Sequence, residues 1–253
     1  MIDFTIWHGL LLLGVGLVAG VINTLAGGGS NLTLPALMVM GMPAEIANAT
    51  NRVGIFLQCL TGALGFKKHG QLDIEDVVPI LWPTMVGGLF GAVAASYAPS
   101  WIIKYLLLGA MLTMAGLILI KPSVVAAEPG TQAKKVRQTP AAKWSLALSG
   151  FYGGFVQAGV GFILVAALAG SLRYDLVRAN ALKLVCTLAF TSIALVIFIV
   201  RDQVLWLPGS VLAVGYIIGA HYAVKFAIKA APTTLKWFLF VMTLVGCVAA
   251  LWF

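Results

Sequence analysis

Two positively charged side chains interrupt long apolar stretches of this sequence. Arg52 and Lys183 each lie about eight residues into such a stretch, or about 12 Å along a helix that rises 1.5 Å per residue. A charge placed inside a bilayer costs at least about 2.5–3.5 kcal/mol and therefore needs a reason. Two explanations are open: both cations face a central cavity and attract an anion, or each snorkels or pairs with a carboxylate for structure alone.

The positions of the acidic residues favour anion binding. None lies at the centre of an apolar stretch; all are in loops or at segment ends, namely Asp3, Glu45, Asp73, Glu75, Asp76, Glu128, Asp175 and Asp202. An interior with cations and without carboxylates argues against a cation pathway and against a proton relay of Asp and Glu.

Polar residues accompany each cation at helical spacing. Asn48 precedes Asn51 by three residues and Arg52 by four, and Asn180 precedes Lys183 by three and Thr187 by seven. Residues at these spacings share one face of a helix, so they predict a polar pocket around each cation. Taken singly, Asn and Thr in membrane helices also serve as hydrogen bonds between helices.

Glycine interrupts two further apolar regions, at Gly27-Gly28-Gly29 and at Gly159-Val160-Gly161. Glycine lets the backbone approach a ligand, and a helix that restarts after a break offers free amides to an anion. Tight helix packing is the alternative use of such glycines. The candidate ligands at the breaks are Asn23, Thr24, Gly28, Gly29, Ser30, Asn31, Gln157, Gly159 and Gly161, of which Ser30 and Asn31 are also candidate helix caps.

Enzyme and metal signatures are missing from the sequence. The glycine-rich run lacks the Lys-Ser/Thr pair of a P-loop, and the histidines, His8, His69 and His221, are not spaced as metal ligands. There is no Gly-x-Ser-x-Gly elbow. No enzyme activity, metal or cofactor is therefore expected, and the cysteines Cys59, Cys186 and Cys247 are expected to be small core residues.

The composition is that of an integral membrane protein. Of the 253 residues, 61% are hydrophobic and 9% charged, and the mean hydropathy is +1.02, whereas soluble domains have about 25% charged residues. The net charge of +8 comes mostly from short loops, where basic residues set orientation in a bilayer. Nucleic acid is thereby excluded as a partner.

Continuous apolar runs predict an all-α fold, since the strands of a membrane barrel would alternate in polarity. Six runs are long enough to cross a bilayer, and the broken regions 6–41 and 144–172 bring the total to eight to ten membrane segments. In the second broken region neither half is long enough to cross comfortably. The six runs are 44–66, 77–98, 101–120, 176–200, 205–224 and 235–253.

An offset of 132 residues relates two halves of the chain. It aligns Ala26-Gly27-x-Gly29 with Ala158-Gly159-x-Gly161, and Ala47-Asn48-Ala49 with Ala179-Asn180-Ala181. Two motifs in one register indicate an internal duplication. The predicted organisation is a first transmembrane repeat at 1–120, a basic linker at 121–143 and a second repeat at 144–253.

Loop charges predict that the two repeats are inverted. If each broken region enters the membrane and returns, the basic loop residues divide twelve to two between the two sides; if each crosses once, they divide eight to six. The positive-inside rule favours the returning hairpin, with the linker cytoplasmic and both termini periplasmic. Inverted repeats with broken helices are a plan of secondary transporters that work by alternating access.

The sequence resembles the sulfite exporter TauE/SafE family, also called the 4-toluene sulfonate uptake permeases. The residues that carry the resemblance are Gly20-Val-Ile-Asn-Thr-Leu-Ala-Gly-Gly-Gly-Ser-Asn-Leu-Thr-Leu-Pro35-Ala-Leu, Gly41-Met-Pro43 and Ala47-Asn-Ala-Thr-Asn51. The second copy, Ala158-Gly-Val-Gly-Phe162, departs from the glycine triplet. The resemblance implies transport of a small sulfur-containing anion such as sulfite, sulfoacetate or a sulfonate, in either direction, across a bacterial inner membrane.

The sequence thus predicts a secondary transporter whose partners are a sulfur-containing anion and membrane lipid, with a homodimer left open. Three other functions remain as alternatives: an anion channel of the same architecture, an intramembrane enzyme, and a structural membrane protein. A channel would not show the counterflow exchange of a carrier, and a structural protein would show no stabilisation by ligand.

Overall fold

The computed structural model describes residues 4–72, 74–103, 105, 106, 109, 134, 136, 139–230 and 234. Within this part the chain is helical and has no strand, which confirms the predicted all-α fold class there. The helices are α1 (Ile6–Leu25), α2 (Ser30–Val39), α3 (Ala44–Lys68), α4 (Ile74–Tyr97), α5 (Pro140–Phe155), α6 (Val160–Val165), α7 (Leu176–Val200) and α8 (Trp206–Lys229), and a π-helical segment, Ala166–Ser171, continues α6.

Four of these helices, α1, α4, α7 and α8, are long and apolar enough to cross a membrane. The predicted span 176–200 is α7, and the predicted spans 77–98 and 205–224 match α4 and α8 to within one residue at the end of α4 and the start of α8. The predicted span 44–66 is the helix α3, which is about 37 Å long at 1.5 Å per residue but carries more polar residues than the other four. The predicted span 235–253 and most of the predicted span 101–120 and of the linker 121–143 lie outside the described residues.

The outer surface is apolar, as expected of a multi-pass membrane protein. Large side chains such as Trp7, Trp144 and Val200 are more than 70% exposed. Trp7 and Trp144 lie near the first residues of α1 and α5, where aromatic rings meet the membrane–water interface.

Both glycine breaks are present where the sequence predicts them. The helix α1 ends at Leu25 and α5 at Phe155, and the chain then turns at Gly27 (φ +103°) and Gly159 (φ +71°). Side chains disfavour this left-handed backbone, so glycine is the residue that permits both turns. With 20 residues α1 is long enough to cross a bilayer by itself, whereas α5 has 16.

Polar and proline residues fix the starts of several helices. Thr5 and His8 form a capping box at the start of α1. Pro140 is the first residue of α5, a position where its missing N–H costs nothing. The Asp175 carboxylate accepts 3.0 Å hydrogen bonds from the first amides of α7.

Close glycine contacts show which helices run in the same direction. A Cβ on Gly16 would lie 2.6 Å from the Leu212 carbonyl oxygen, and a Cβ on Gly20 2.6 Å from the Tyr216 carbonyl oxygen. One turn forward along α1 is therefore one turn forward along α8, so the two helices are parallel. The helices α4 and α5 are parallel for the same reason, because Gly150 and Gly154 of α5 face Thr84 and Gly88 of α4.

The helix α3 is parallel to α8 and antiparallel to α7. Gly209 of α8 faces Val53, and Val224 of α8 faces Gly65. In contrast, Phe198 near the end of α7 covers Arg52 near the start of α3, and Leu184 near the start of α7 meets Gly62 further along α3. The helices α4 and α7 are parallel, since Gly88 faces Phe190 and Ser96 accepts a hydrogen bond from Gln203.

Candidate functional site

Every predicted site residue is buried within the helix bundle. Arg52 is 0% and Lys183 1% exposed, so neither cation snorkels to the surface. The other buried members of the predicted set are Asn23, Thr24, Gly28, Gly29, Ser30, Asn31, Asn48, Asn51, Gln157, Gly159, Gly161, Asn180 and Thr187. Burial fits a site inside the bundle, and the hydrogen bonds show how its members are grouped.

The first group, here called the Arg52 cluster, joins α3 to the end of α5. The Arg52 guanidinium donates to the carbonyl oxygens of Gly153 at 3.0 Å and Gly154 at 2.7 Å. The Asn48 amide donates to the Phe155 carbonyl oxygen at 3.0 Å. The Phe198 ring lies 5.0 Å from the guanidinium carbon, within the range of a cation–π contact.

The second group, the Lys183 cluster, joins α7 to the end of α1. The Lys183 ammonium donates to the carbonyl oxygens of Asn23 at 2.8 Å and Thr24 at 3.0 Å, and to Asn180 Oδ1 at 2.8 Å. From α3, Gln58 accepts from Asn23 Nδ2 at 2.6 Å and donates to Thr24 Oγ1 at 2.8 Å. All three ammonium hydrogens of Lys183 thus have an acceptor.

In both clusters a buried cation donates hydrogen bonds to carbonyl oxygens at the end of a helix. The last carbonyl groups of any helix have no partner within that helix, and the C-terminal end carries a partial negative charge. Inside a membrane no solvent satisfies these carbonyls, and here a buried cation from the other half of the chain does so. Among the described residues, the polar partners of Arg52 and Lys183 are these carbonyls and Asn180, not carboxylates.

Arg52 and Lys183 do not converge on one point. Leu184 lies level with Gly62 on α3, so Lys183 is about eleven residues, or about 16 Å, further along α3 than Arg52. The midpoint of α3 (Ala44–Lys68) lies between these two levels. The Cα atoms of the two residues therefore lie in different halves of the bundle.

A third group, the Ser30 cluster, lies between α2, α3 and α8. Asn51 accepts from Thr33 Oγ1 at 2.8 Å and donates to Ser30 Oγ at 3.2 Å. Tyr216 Oη lies 3.1 Å from Thr33 Oγ1 and 3.4 Å from Asn51 Oδ1. The predicted common face of Asn48, Asn51 and Arg52 is therefore split, because successive residues of a helix are 100° apart and Asn51 consequently points away from Arg52.

The two glycine breaks touch each other between the clusters. A Cβ on Gly27 would collide with the Gly161 backbone, and a Cβ on Gly28 would lie 2.6 Å from the Phe162 ring. Within the described part of the chain, the backbone N–H groups of Gly28, Gly29 and Ser30 donate no backbone hydrogen bond, as sequence reasoning predicts for a restarting helix. The Asn31 N–H, by contrast, donates to the Gly28 carbonyl oxygen.

The side chains of Ser30 and Asn31 do not cap α2. The N-cap residue is Gly29, and no side chain bonds the first amides of this helix. Ser30 instead accepts from Asn51. The cap interpretation is therefore wrong for these two residues, while their role as ligands stays a prediction.

Unpaired polar atoms concentrate at the predicted site. Seven buried side-chain atoms in the described part of the chain lack a hydrogen bond, and five of them belong to predicted site residues: Asn31 Oδ1, Asn48 Oδ1, Arg52 Nε, Gln157 Oε1 and Asn180 Nδ2. An unpaired buried polar group costs about 1–3 kcal/mol and is explained when a ligand or water completes it.

Sequence reasoning missed four polar residues of these groups. Gln58 and Thr191 are detectable in principle, because each is a polar residue within a long apolar helix; Thr191 accepts from Gln157 Nε2 at 3.1 Å. Thr33 follows Ser30 at helical spacing. Nothing in the sequence distinguishes Tyr216 from an interfacial tyrosine.

The described residues include no group of three or more His, Cys, Asp or Glu side chains that could hold a metal ion. The donors and acceptors gathered here are amides, hydroxyls, backbone groups and two cations. Such a set binds an anion or a polar molecule through hydrogen bonds and charge.

Comparison with known proteins gives a consistent result. The model of the family described as "Sulfite exporter TauE/SafE" matches residues 12–250. A "Probable membrane transporter protein" of Haemophilus influenzae is 28% identical, over 92% of this chain and 90% of its own length. The "Probable membrane transporter protein YfcA" of Escherichia coli is also 28% identical, over 83% of this chain and 79% of its own. The "Probable membrane transporter protein ORF9" of a Sinorhizobium species is 23% identical, with coverages of 90% and 86%.

Proposed function

This chain belongs to the sulfite exporter TauE/SafE family and is a multi-pass membrane transporter, and on that premise we propose that it carries a small sulfur-containing anion by alternating access. The observation that carries the proposal is the pair of buried cations, Arg52 and Lys183, which among the described residues are held by carbonyl dipoles and not by carboxylates. Their positive charges are therefore available to an anion. Sulfite, sulfoacetate and organic sulfonates are anions of the matching charge.

The anion binds, in this proposal, beside the contact between Gly27 and Gly161, between the two cations. The Cα atoms of the two cationic residues lie about 16 Å apart along α3 by helical rise, and their side chains extend from these two levels. Arg52 Nε, Asn180 Nδ2 and the free amides from Gly28 to Ser30 supply hydrogen-bond donors. The remaining predicted ligands, including Thr187 and Gln157, line the same interior.

Helix direction supports an inverted arrangement of the two repeats. The offset of 132 residues pairs α3 with α7, and these two helices are antiparallel. It also pairs α1 with α5. The helix α1 packs in parallel against α8, the last described helix of the second repeat, and α5 packs in parallel against α4 of the first repeat. Two upside-down copies can exchange inward-open and outward-open states around one site.

Basic residues support an orientation in the bacterial inner membrane. The ends of α3 and α8 and the starts of α5 and α7 lie at one end of the bundle. The described basic residues there are Lys67, Lys68, Lys134, Lys143, Arg173, Arg178, Lys225 and Lys229. Arg201 lies at the opposite end. The positive-inside rule makes the first end cytoplasmic and places the N-terminus in the periplasm.

A thermal-shift measurement on purified protein tests anion binding. Sulfite, thiosulfate, taurine, sulfoacetate and aryl sulfonates are compared with chloride at matched ionic strength. A bound anion at 100 times its Kd stabilises the folded state by about 2.7 kcal/mol, which raises the Tm by about 5–10 °C in a chain of this size. We expect one or more sulfur anions to do so.

Charge-removing variants make the test specific. Arg52→Gln and Lys183→Gln are expected to lose most of the ligand-induced shift, whereas Arg201→Gln, which removes an exposed cation, keeps it. Equal shifts in all three variants contradict the site. The absence of any shift beyond that of chloride in the wild-type protein contradicts the substrate class.

A further inference from the structure

We propose that Arg52 and Lys183 also act as two separate clasps, each closing the path between the central site and one face of the membrane. This inference rests on the proposed transport of an anion. It starts from a reciprocal arrangement: Arg52, in the first repeat, holds the end of α5 in the second, and Lys183, in the second repeat, holds the end of α1 in the first. Each bond set joins one half of the chain to the other.

The two clasps lie at different depths. Arg52 is about 12 Å from the start of α3 and Lys183 about 10 Å from the start of α7, and these two helices are antiparallel. The Arg52 clasp is therefore nearer the face where α3 begins, and the Lys183 clasp nearer the opposite face. Opening of one clasp exposes the centre to one side only.

The bonds of both clasps are of a kind that an anion displaces. The present bonds are already charge-assisted, because their donors are cations. An anion adds the attraction between opposite charges, which a neutral carbonyl oxygen does not supply. An anion that reaches the cation thus competes with the carbonyls of the helix end. Once the carbonyls are displaced, that end is no longer tied to the opposite repeat.

The two clasps are not equivalent. Lys183 has all three hydrogens bonded, so an anion binds it only by displacing an acceptor. Arg52 retains an unpaired Nε and contacts an anion before either of its carbonyl bonds breaks. The Arg52 clasp therefore accepts an anion before it opens, whereas the Lys183 clasp opens as the anion binds.

Two alanines just beyond the helix ends provide matched reporters. Ala26 follows the end of α1 and Ala158 follows the end of α5; the offset of 132 residues relates them, and both are fully buried. In a background with Cys59, Cys186 and Cys247 replaced by Ala, either Ala26→Cys or Ala158→Cys is introduced. A membrane-impermeant maleimide is then applied from each side of oriented vesicles.

We expect Arg52→Gln to raise the labelling rate of Ala158→Cys at least tenfold from the face where α3 begins, and to leave Ala26→Cys unchanged. We expect Lys183→Gln to raise the rate of Ala26→Cys from the opposite face, and to leave Ala158→Cys unchanged. The control Arg201→Gln alters neither rate. Labelling of both reporters from one face, or no change in either, overturns the proposal.

A second experiment keeps both Arg52 and Lys183, so its result does not depend on whether the charge-removing variants fold. In the protein with both native clasps, sulfoacetate, which does not react with maleimides, is expected to raise the labelling rate of at least one reporter from one face. If sulfoacetate shifts the Tm but changes neither rate, the clasps are refuted while the substrate site stands. If sulfoacetate does not shift the Tm but the variants behave as described, the substrate fails and the clasps stand.

Discussion

At the scale of single residues, the cost of a buried charge determines what surrounds it. Arg52 and Lys183 are tolerated because each satisfies two backbone carbonyls that accept no other hydrogen bond within the described part of the chain. Their burial among Asn residues is predictable from sequence, since an apolar helix does not accept an unpaired cation. Their partners are not predictable, because a carbonyl at a helix end has no signature in the side-chain sequence.

Tyr216 provides a test at this scale, because its hydroxyl joins α8 to both α2 and α3. Tyr216→Phe removes the contacts with Thr33 and Asn51 and leaves the ring in place. The lost hydrogen bonds are expected to cost about 1–2 kcal/mol of unfolding free energy, measured by denaturant titration.

The control for Tyr216→Phe is Tyr222→Phe, on the same helix. Tyr222 is 64% exposed, and changes at exposed positions usually stay within about 0.5 kcal/mol. Equal unfolding free energies for the two variants would show that the Ser30 cluster contributes nothing to stability.

At the scale of helices, the glycine breaks reverse the chain and pack against each other, and the sequence predicts only the first of these two features. The chain reversal at Gly27 and Gly159 is predictable, because glycine interrupts otherwise apolar helices. The contact between the two breaks is not, because it depends on how α1 and α5 meet across the bundle. Close packing and an amide without a backbone hydrogen bond, which the sequence analysis treats as alternatives, occur together at Gly28 within the described part of the chain.

Two glycine variants separate packing from backbone strain. Gly27 and Gly41 both have positive φ, but a Cβ on Gly27 collides with the Gly161 backbone while a Cβ on Gly41 meets nothing within 4 Å. Gly41→Ala is expected to cost about 1–2 kcal/mol from backbone strain alone. Gly27→Ala is expected to cost about 1–3 kcal/mol more.

Unfolding free energies from denaturant titration check this pair. A Gly27→Ala protein as stable as the Gly41→Ala protein would mean that the breaks do not pack against each other. It would also remove the reason for placing the substrate site at their contact.

At the scale of the whole molecule, the loop charges and the repeat offset predict the inverted plan, and helix direction supports it. That both cations face one central cavity and attract an anion stays a prediction. The Cα atoms of Arg52 and Lys183 lie about 16 Å apart along the bundle by helical rise, because equivalent positions in antiparallel helices move away from each other with distance from the midpoint. Hydropathy predicts how far a residue lies along its own helix. It does not predict the distance between two residues on different, antiparallel helices.

The central claim, that a sulfur-containing anion is carried past these two cations, is tested most directly by counterflow in proteoliposomes. Labelled sulfoacetate is applied outside vesicles that contain an excess of unlabelled sulfoacetate, and uptake is compared for the wild-type, Arg52→Gln and Arg201→Gln proteins. The account predicts saturable uptake with a transient overshoot in the wild-type and Arg201→Gln proteins, and at least a tenfold slower rate in Arg52→Gln. Uptake without overshoot, or equal rates in all three proteins, would contradict it.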